Sequence, residues 1–415
     1  MKKYDLIVIG GGFAGVGAAL AAARDGAKTL IVDKSNCFGG AATGCLVNPF
    51  MPFSTNIDGV RTPLSRGIFL EIRKALKDRG ARLREHFAEE ELKIILNEML
   101  EEAGVDILFH AYLCGVENRD GVIRSASFAT KSGIVKLEAD YFIDATGDAQ
   151  AVFLAGGETI LGRESDNLCQ PMTLCFRVGN VDVEKFMDSK ASLMEAHAEA
   201  LSRGELINPR ENILVFRTNI PNVLHFNTTR VVKLNPVDPS DVTKAELIAR
   251  KQVFEIYEFM KKHADGLEDS YLMMTASEIG VRESRMIVGE YRLTEADCRA
   301  FTLFEDGIAA CNYDIDIHNP EGAGTSHYYF PDGKYYTIPY RSLIPKGIEN
   351  MLVAGRCISS DHGAQASYRI MPTVCCIGEA AGTAIAIAAS EGIDVRSVDT
   401  DLLRKKLTDK GAFVG

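Results

Sequence analysis

The chain has 415 residues, 46% hydrophobic and 25% charged, which is enough for two or three domains with sizeable cores. This composition excludes fibrous, collagen-like and wholly disordered proteins. The 57 acidic and 46 basic side chains give a net charge of −11, so we do not expect a nucleic acid as partner.

The ten cysteines indicate a reduced, cytoplasmic protein, because their spacing is not that of a small disulfide framework. No C-x2-C pair is present, so no metal site is predicted. The neighbours Cys375 and Cys376 are interpreted as two small buried residues. An N-terminal apolar run imitates a signal peptide, but Asp5 and three glycines interrupt it. The later apolar stretch 374–389 is too short for a membrane span, so we expect no membrane partner.

The N-terminal part of the chain predicts a nucleotide-binding unit. Residues 3–9 read as a buried strand, a helical pattern follows up to Gly26, and residues 28–32 read as a second strand. A G-x-G-x-x-G turn joins the first strand to the helix, and an acid follows the second strand, which completes the dinucleotide fingerprint. Its residues are Gly10, Gly12, Phe13, Ala14, Gly15 and Asp33.

Each position of the fingerprint has a chemical reason. Gly10 permits the tight turn, Gly12 lets backbone N–H groups approach a pyrophosphate, and Gly15 lets the helix lie close to the strand. The helix N-terminus then faces the phosphates with the positive end of its dipole. Asp33 lies 23 residues after Gly10, where it can accept hydrogen bonds from a ribose.

Three later segments decide between FAD and NAD. A glycine-rich loop follows Asp33, a strand ends in the sequence A-T-G-D at 145–148, and a late strand ends at Gly355 before a helix rich in small residues. A loop of the first kind can run along a long cofactor towards its ring system. These segments supply the other predicted cofactor-binding residues: Lys34, Gly39, Gly40, Ala41, Thr43, Ala145, Thr146, Gly147, Gly355, Arg369, Pro372 and Thr373.

With these segments the sequence resembles the FAD-dependent oxidoreductases of glutathione-reductase-like topology. It is most similar to the broad bacterial and archaeal family that includes relatives of the heterodisulfide reductase flavin subunit. The resemblance runs from Asp5 to Ala389 and is carried by the fingerprint and by further motifs at 143–148, 280–285, 316–318, 338–345 and 353–382. It implies an α/β fold: a Rossmann-like FAD-binding domain with a β-meander, into which an α+β substrate or cap domain is inserted.

The resemblance also implies that the late helix points its N-terminus at the flavin. Pro372 suits the first helical turn, where its missing N–H costs nothing. The free N–H groups of that turn could stabilise negative charge on a reduced flavin. The alternative is a plain buried helix.

Under this interpretation the whole chain divides into three parts. Residues 1–156 and 336–415 form the FAD-binding domain, and residues 157–335 form the substrate or cap domain. Helices are predicted at 88–103, 183–202 and 243–263, and a capping box is predicted from Thr243 with Glu246. Strands of a meander are predicted at 111–117, 122–130 and 134–139, before the strand that ends in A-T-G-D.

Two motifs supply the main catalytic candidates. His318 is the best candidate for proton transfer, since histidine titrates near neutral pH, and an oriented structural histidine is the alternative. Arg282 and Arg285 lie in one motif, where either could bind a substrate anion with its planar guanidinium. The alternative is that they pair with Glu283 or another acid and hold two domains together.

Weaker candidates lie in the late segments. His362 could contact the ring or substrate, or only cap its loop. Tyr340 and Arg341 are candidates of the same kind. Arg369 could place positive charge near the ring, with surface solvation as its alternative.

The predicted function is that of an FAD-dependent oxidoreductase, a cytoplasmic flavoprotein that moves a hydride between a small organic substrate and flavin N5. No second dinucleotide fingerprint, no C-x4-C dithiol near Cys45 and no C-x2-C-x2-C run is present, so the electrons must come from or go to an external donor or acceptor. Three alternatives stay open: an electron-transfer subunit, a flavin-dependent RNA-modifying enzyme, and an NAD-binding Rossmann protein. The oligomeric state is left open.

Overall fold

The computed structural model describes residues 3–415. The elements of its first part are β1 (Tyr4–Ile9), α1 (Phe13–Arg24), β2 (Thr29–Val32), β3 (Ser54–Ile57), β4 (Val60–Pro63), α2 (Ile68–Asp78), β5 (Arg82–Leu83), β6 (His86–Phe87), α3 (Glu89–Glu102), β7 (Asp106–Leu108), β8 (Tyr112–Arg119), β9 (Val122–Thr130), β10 (Gly133–Asp144) and α4 (Gln150–Leu154).

The middle part contains β11 (Thr159–Leu161), β12 (Phe176–Gly179), α5 (Val183–Ser202), β13 (Val215–Arg217), β14 (Leu224–Phe226), α6 (Pro239–His263), β15 (Tyr271–Thr275), β16 (Arg285–Ile287), α7 (Glu295–Arg299), β17 (Gly307–Cys311), β18 (Ile315–His318) and β19 (Thr325–Tyr328). The last part contains β20 (Tyr336–Pro339), β21 (Met351–Val353), α8 (His362–Tyr368), α9 (Met371–Glu391) and α10 (Thr400–Asp409).

The main sheet confirms the predicted α/β class. Its strand order is β7-β2-β1-β10-β9-β8, and β21 pairs with β10. The strands β7, β2, β1, β10 and β21 are mutually parallel, as in a Rossmann-like nucleotide-binding sheet. Because β1, β2, β21 and the end of β10 are buried, their residues read as apolar runs rather than as alternating patterns.

Strand β10 joins this parallel sheet to the meander. Residues 133–138 pair antiparallel with β9, and the segment from Ala139 to Asp144 pairs parallel with β1. The sequence pattern predicted two runs, at 134–139 and from Tyr141, whereas the structure has one continuous strand of 12 residues. The predicted meander strand 122–130 is confirmed with the same bounds.

Helices α1 and α9 cross in unusually close contact beside the sheet. A Cβ on Gly378 or Gly382 would overlap the backbone of Ala14 or Ala18, and a Cβ on Gly17 would lie 2.6 Å from the Cys375 carbonyl oxygen. Only glycine permits this approach, which explains the small residues of the late helix. Cys375 and Cys376 are free and buried in α9.

Helix α9 is 21 residues long and apolar enough, by length and composition, to cross a membrane. However, 89% of its most apolar window is buried inside the fold, as in a core helix. One carboxylate, Glu379, is buried in this helix and accepts a hydrogen bond of 3.0 Å from the N–H of Ile68 at the start of α2. Burial raises the pKa of Glu379 to about 7.

A second core lies around a four-stranded antiparallel sheet in the order β13-β14-β12-β15. Helices α5 and α6 cover it with buried side chains such as Phe186, Leu193, Val253 and Ile256. The helix predicted at 183–202 is confirmed.

The predicted start of α6 is wrong. The helix begins at Pro239 rather than near Thr243, because the Asp238 carboxylate accepts from the N–H groups of Ser240 and Asp241. Pro239 fits the first helical position, where no N–H is needed. Thr243 lies inside the helix and donates to the Pro239 carbonyl, so it forms no capping box with Glu246.

The second core contains residues from Met172 to Ile279 together with Leu46, whereas residues such as Ile287, Ile308 and Tyr336 pack in the main core. The bounds 157–335 for the inserted domain remain a prediction.

A buried polar network joins the two cores. Arg177 of β12 forms an ion pair with Glu89 of α3, and both side chains are less than a tenth exposed. The Asn48 amide also donates to this carboxylate, at 2.8 Å. The two cores are therefore fixed to each other by a buried charge pair.

Candidate functional site

The carboxyl ends of four neighbouring strands meet at one edge of the main sheet. The Gly10 N–H donates to the Val32 carbonyl, the Ala145 N–H to Ile9, and the Ala354 N–H to Asp144, at 2.8, 2.8 and 2.9 Å. This edge is where open α/β sheets bind their ligands. The fingerprint and the two later strand segments, far apart in sequence, are thus brought to one place.

The glycine turn forms a cradle with one open position. Gly10 has a φ of +106°, and a Cβ there would overlap the Ala145 carbonyl; a Cβ on Gly15 would overlap the Gly10 carbonyl. At Gly12 the nearest atom to an added Cβ is the Gly40 Cα, at 4.0 Å. Gly10 and Gly15 are therefore required by the fold, whereas the space beside Gly12 is free for a ligand.

The loop after β2 returns to this turn. One carboxylate oxygen of Asp33 accepts from the Gly11 N–H and the other from the Ser35 N–H. The Gly39 N–H donates to the Gly11 carbonyl at 2.8 Å, and Gly39 has a φ of +110°. Asp33 therefore fixes the glycine turn and stands at the sheet edge beside the cradle.

The other predicted loop residues lie along the same path. Gly40 packs against Gly12, Thr43 donates to the Phe38 carbonyl at 2.8 Å, and the Ala41 carbonyl accepts from Val47. Lys34 forms an ion pair of 2.6 Å with Glu278. A cleft of about 350 Å³ next to Lys34 is also lined by His110, Tyr112, Ala129, Thr130 and Lys131.

Two predicted cofactor-binding residues of the first helix, Phe13 and Ala14, are buried in the main core. The Phe13 ring is buried and packs edge-on against Phe50 at 5.6 Å between centroids, so its side chain belongs to the core. The Ala14 backbone faces Gly378 of α9. These contacts place both side chains in the core rather than towards a ligand.

The A-T-G-D turn is held by its own acid. Buried Asp144 accepts from the N–H and hydroxyl of Thr146 and from the N–H groups of Ala151 and Val152. These bonds fix the backbone of Ala145 and the Thr146 side chain at the sheet edge.

The turn continues into an ion pair that the sequence did not reveal. Arg356, next to Gly355, pairs with Asp148 at 2.8 Å, and its guanidinium lies against Gly147, where a Cβ would come within 2.9 Å. Ser284 also donates to Asp148 at 2.6 Å. Gly147 has a φ of +78°, a left-handed conformation that favours glycine at this position.

Helix α9 is separated by two residues from the end of α8, whose residues from Gly363 on are buried. Pro372 and Thr373 are buried in its first turn, and Arg369 directly precedes it. Arg369 donates to the Asp316 carbonyl at 3.1 Å and lies 3.7 Å from its carboxylate. Arg369 is therefore not solvated surface, because it is anchored to the segment that carries His318.

His318 lies in a polar cluster. Its Nδ1 is 3.2 Å from the Arg230 guanidinium and 3.3 Å from the Thr325 hydroxyl, and its Nε2 is 3.4 Å from the Asp316 carboxylate. Because arginine can only donate, these partners assign the ring proton to Nε2. Burial lowers the pKa of His318 well below its usual value, and the charge of Arg282 lowers it further, so the imidazole is neutral at neutral pH.

Arg282 reaches the same cluster from the other core. It donates to the Pro171 carbonyl at 2.7 Å and to the Thr173 hydroxyl, and its own carbonyl accepts from Gln365 of α8. Gln170 then links Gln365 to the backbone N–H of His318, at 3.2 Å for each bond. The structure thus brings together Arg282, His318 and Arg369.

Two further arginines belong to this place and were not predicted. Arg210 and Arg230 are 4% and 1% exposed. Arg230 touches His318 across 88 residues of sequence. Both arginines lie in loops without helical or strand periodicity, so the sequence pattern does not indicate that they belong to the site.

The remaining catalytic candidates lie outside this cluster or are held by other partners. His362 pairs with buried Glu283 at 2.7 Å, so Glu283 does not pair with Arg282 or Arg285. Arg285 donates to the Asp148 carbonyl and the Gln150 amide. Two others have partners outside the His318 cluster: the Tyr340 hydroxyl donates to the Val395 carbonyl, and Arg341 pairs with Asp306.

A second cleft, of about 660 Å³, lies on the inserted part between the segments at 180–185 and 217–223. Its lining includes none of the predicted site residues. The cluster around His318 is therefore separate from this cleft.

Comparison with known proteins agrees with the geometry. Residues 5–407 match the profile of a family described as FAD dependent oxidoreductase. Two curated relatives, digeranylgeranylglycerophospholipid reductases from Thermoplasma volcanium and Thermoplasma acidophilum, are each 28% identical over 201 residues. The match covers 44% of this chain and 49% of each relative, so the chain spans about half the length of the curated relatives it matches.

Solved structures show the same fold at low identity. The p-nitrophenol 4-monooxygenase PnpA from Pseudomonas putida DLL-E4 has a TM-score of 0.50 and 11% identity, with 99% of this chain and 87% of that chain covered. The flavin-dependent brominase Bmp2 has a TM-score of 0.50 and 11% identity, with 98% and 84% covered. Since the family profile extends over nearly its whole length, the chain belongs to the FAD-dependent oxidoreductase family.

Proposed function

We propose that this protein moves a hydride between a small polar organic substrate and FAD, with the cofactor in the glycine cradle and the substrate beside His318. The observation that carries the proposal is that the late segment before α9 contributes Arg369 to the polar cluster of His318 and Arg282, in a chain whose glycine turn leaves the space beside Gly12 open.

The residues present fit FAD. A Cβ at Gly12 would fill an opening next to the start of α1, and backbone N–H groups of a helix N-terminus suit a pyrophosphate. Asp33 suits a ribose, because its carboxylate stands at the end of β2. We assign the predicted loop and turn residues, from Lys34 to Thr43 and from Ala145 to Gly147, to the same cofactor.

FAD, when bound, supplies hydride transfer at N5. The chain must hold and orient the substrate and move a proton. We assign proton transfer to His318, whose neutral imidazole has one basic nitrogen. Its contacts of 3.2–3.4 Å are long for hydrogen bonds, so a partner can be exchanged when substrate enters.

The substrate is proposed to be polar although the curated relatives are named for a lipid. An apolar chain needs an apolar lining. The cluster here is instead lined by arginines, glutamines and a histidine, so it suits a polar molecule.

We place the protein in the cytoplasm, with an external electron donor or acceptor and with neither nucleic acid nor membrane as partner. The support is that all ten cysteines are free of disulfide bonds in the fold and that the net charge is −11.

The test has two parts on one preparation. Freshly purified protein is denatured and the released cofactor is identified by mass, and FAD is the expected result. The folded protein is then mixed anaerobically with organic acids, sugars and amines while the flavin absorbance is followed. Absence of flavin from folded protein, or NAD in its place, would refute the cofactor assignment. Bleaching only by neutral apolar compounds would refute the polar substrate.

A further inference from the structure

The cluster around His318 contains an unusual concentration of buried positive charge. Arg210 and Arg230 enter from loops next to the second core, Arg282 follows β15, and Arg369 precedes α9. Arg230 contacts the Nδ1 atom of His318, and Arg369 is 3.7 Å from the Asp316 carboxylate, which also lies 3.4 Å from the His318 Nε2 atom. The charge of Arg210 acts on both Arg230 and Arg282, and that of Arg282 acts on His318, so the four guanidinium groups lie near one another between the two cores.

These charges are not matched by acids of the chain. Within residues 3–415, no carboxylate lies within 4.0 Å of the guanidinium nitrogens of Arg210 or Arg282. Arg230 is 3.4 Å from Glu211, and Asp316 is shared by Arg369 and His318. Four arginines, two acids and a neutral histidine leave two positive charges in excess. His327 lies 3.7 Å from the other oxygen of Asp316 and 3.0 Å from Asp314.

An unmatched buried charge is costly unless an anion completes the site. The pKa values of these groups show that cost. Burial, together with the charges of Arg210 and Arg369, lowers the pKa of Arg282 to about 9, and burial and Arg210 lower that of Arg230 to about 10. Both remain protonated at neutral pH. The buried Nε of Arg230 also has no hydrogen-bond partner among the described residues.

We propose that the arginines at 210, 230 and 282 bind the carboxylate groups of a small organic acid, so that the substrate of this enzyme is an organic anion. This inference rests on the proposed function, because it takes the bound anion to be the substrate of the proposed flavin reaction. Guanidinium groups recognise carboxylates through paired N–H donors, which is a geometry that a neutral amide cannot match. The excess of two charges favours a dicarboxylate over a monocarboxylate.

The test is calorimetric binding of small probes to the purified FAD-loaded protein. Succinate, acetate and the neutral isostere succinamide are titrated at low and at high salt. We expect succinate to bind most tightly, acetate more weakly and succinamide not measurably, with succinate affinity falling as salt rises. Inorganic phosphate serves as a fourth probe and should bind at least tenfold more weakly than succinate. Equal binding of succinamide and succinate, or tighter binding of phosphate, would overturn the proposal.

Two variants locate the site. Arg282→Gln and Arg210→Gln should each weaken succinate binding by about 10- to 100-fold, the range for loss of a charge-assisted hydrogen bond. Arg217→Gln is the matched control, since Arg217 pairs with Glu184 on the outer face of the inserted part and should leave binding unchanged. Flavin content and melting temperature are measured on every sample. Because the probe series is read on the unmodified protein, a variant that does not fold leaves the test intact.

The outcomes separate this inference from the proposed function. If the arginine variants lose FAD but not succinate binding, the arginines hold the cofactor and the inference is wrong. If the protein binds succinate but carries no flavin, the anion site stands and the cofactor assignment fails.

Discussion

Replacement of Gly12 by valine tests the cofactor site without disturbing the fold. Gly12 has φ −70° and ψ −177°, an extended conformation that valine adopts readily. Its added Cβ would meet only the Gly40 Cα, at 4.0 Å, which is ordinary van der Waals contact. The substitution is therefore tolerated by the empty protein.

The two expected magnitudes differ widely. Gly12 is the N-cap of α1, and valine is a poorer N-cap than glycine, so we expect a loss of about 1 kcal/mol in the free energy of unfolding. For a chain of this length that shift moves the melting temperature by about 2 °C or less. By contrast, a side chain in the space proposed for the pyrophosphate should weaken FAD at least about 100-fold, or about 2.7 kcal/mol.

The assay compares FAD affinity with stability in the same preparation. Flavin is removed from the parent protein and from Gly12→Val, FAD binding is followed by quenching of flavin fluorescence, and thermal unfolding is recorded without FAD. The matched control is Gly15→Ala, whose Cβ would overlap the Gly10 carbonyl and should cost about 3 kcal/mol of stability. If Gly12→Val binds FAD as the parent does, the pyrophosphate does not approach at Gly12 and the cradle has been misassigned.

Three further predictions concern single side chains. Asp33→Ala should weaken FAD by roughly 10- to 100-fold through loss of charge-assisted hydrogen bonds, and fluorescence titration showing unchanged affinity would remove this carboxylate from the site. His318→Ala should keep its FAD and lose about 10²–10⁴-fold in the rate of substrate-driven reduction per bound flavin, measured anaerobically by stopped flow; an unchanged rate would end its assignment to proton transfer. Glu379 has its pKa raised by burial to about 7, above its unfolded value, so its contribution to stability is present below about pH 4.5 and is lost as pH rises through 7. Between pH 5 and pH 8 the free energy of unfolding, measured with urea, should therefore fall by about 2.5 kcal/mol more in the parent than in Glu379→Gln, and parallel profiles would contradict the buried titration.

The nucleotide-binding half could be predicted from sequence because its signals are local. The turn at Gly10–Gly15, the following helix and the acid at Asp33 occupy one continuous stretch, and each residue type has its own backbone reason. The parallel sheet follows from the same stretch once Ala145 and Ala354 are placed at strand ends.

The polar cluster around His318 could not be predicted to the same depth, since its contacts are long-range. Arg230 meets His318 across 88 residues, and neither Arg210 nor Arg230 lies in a periodic segment. The start of α6 was mispredicted because two start signals lie close together. Thr243 and Glu246 have the spacing of a capping box, but Asp238 and Pro239 begin the helix four residues earlier. The single strand β10 appeared as two runs because its halves have different pairing partners and different burial.

The buried pair of Arg177 and Glu89 has a kinetic consequence. Swinging the second core away from the main core would separate these two charges and leave both without a partner, at a cost of about 3–5 kcal/mol. Such an open form would be populated at roughly one molecule in 10² to 10⁴. If substrate binds beside His318 as proposed, we therefore expect it to enter while the two cores stay together, through local motion of a turn such as Gly322–Gly324, whose carbonyl groups accept from Arg230.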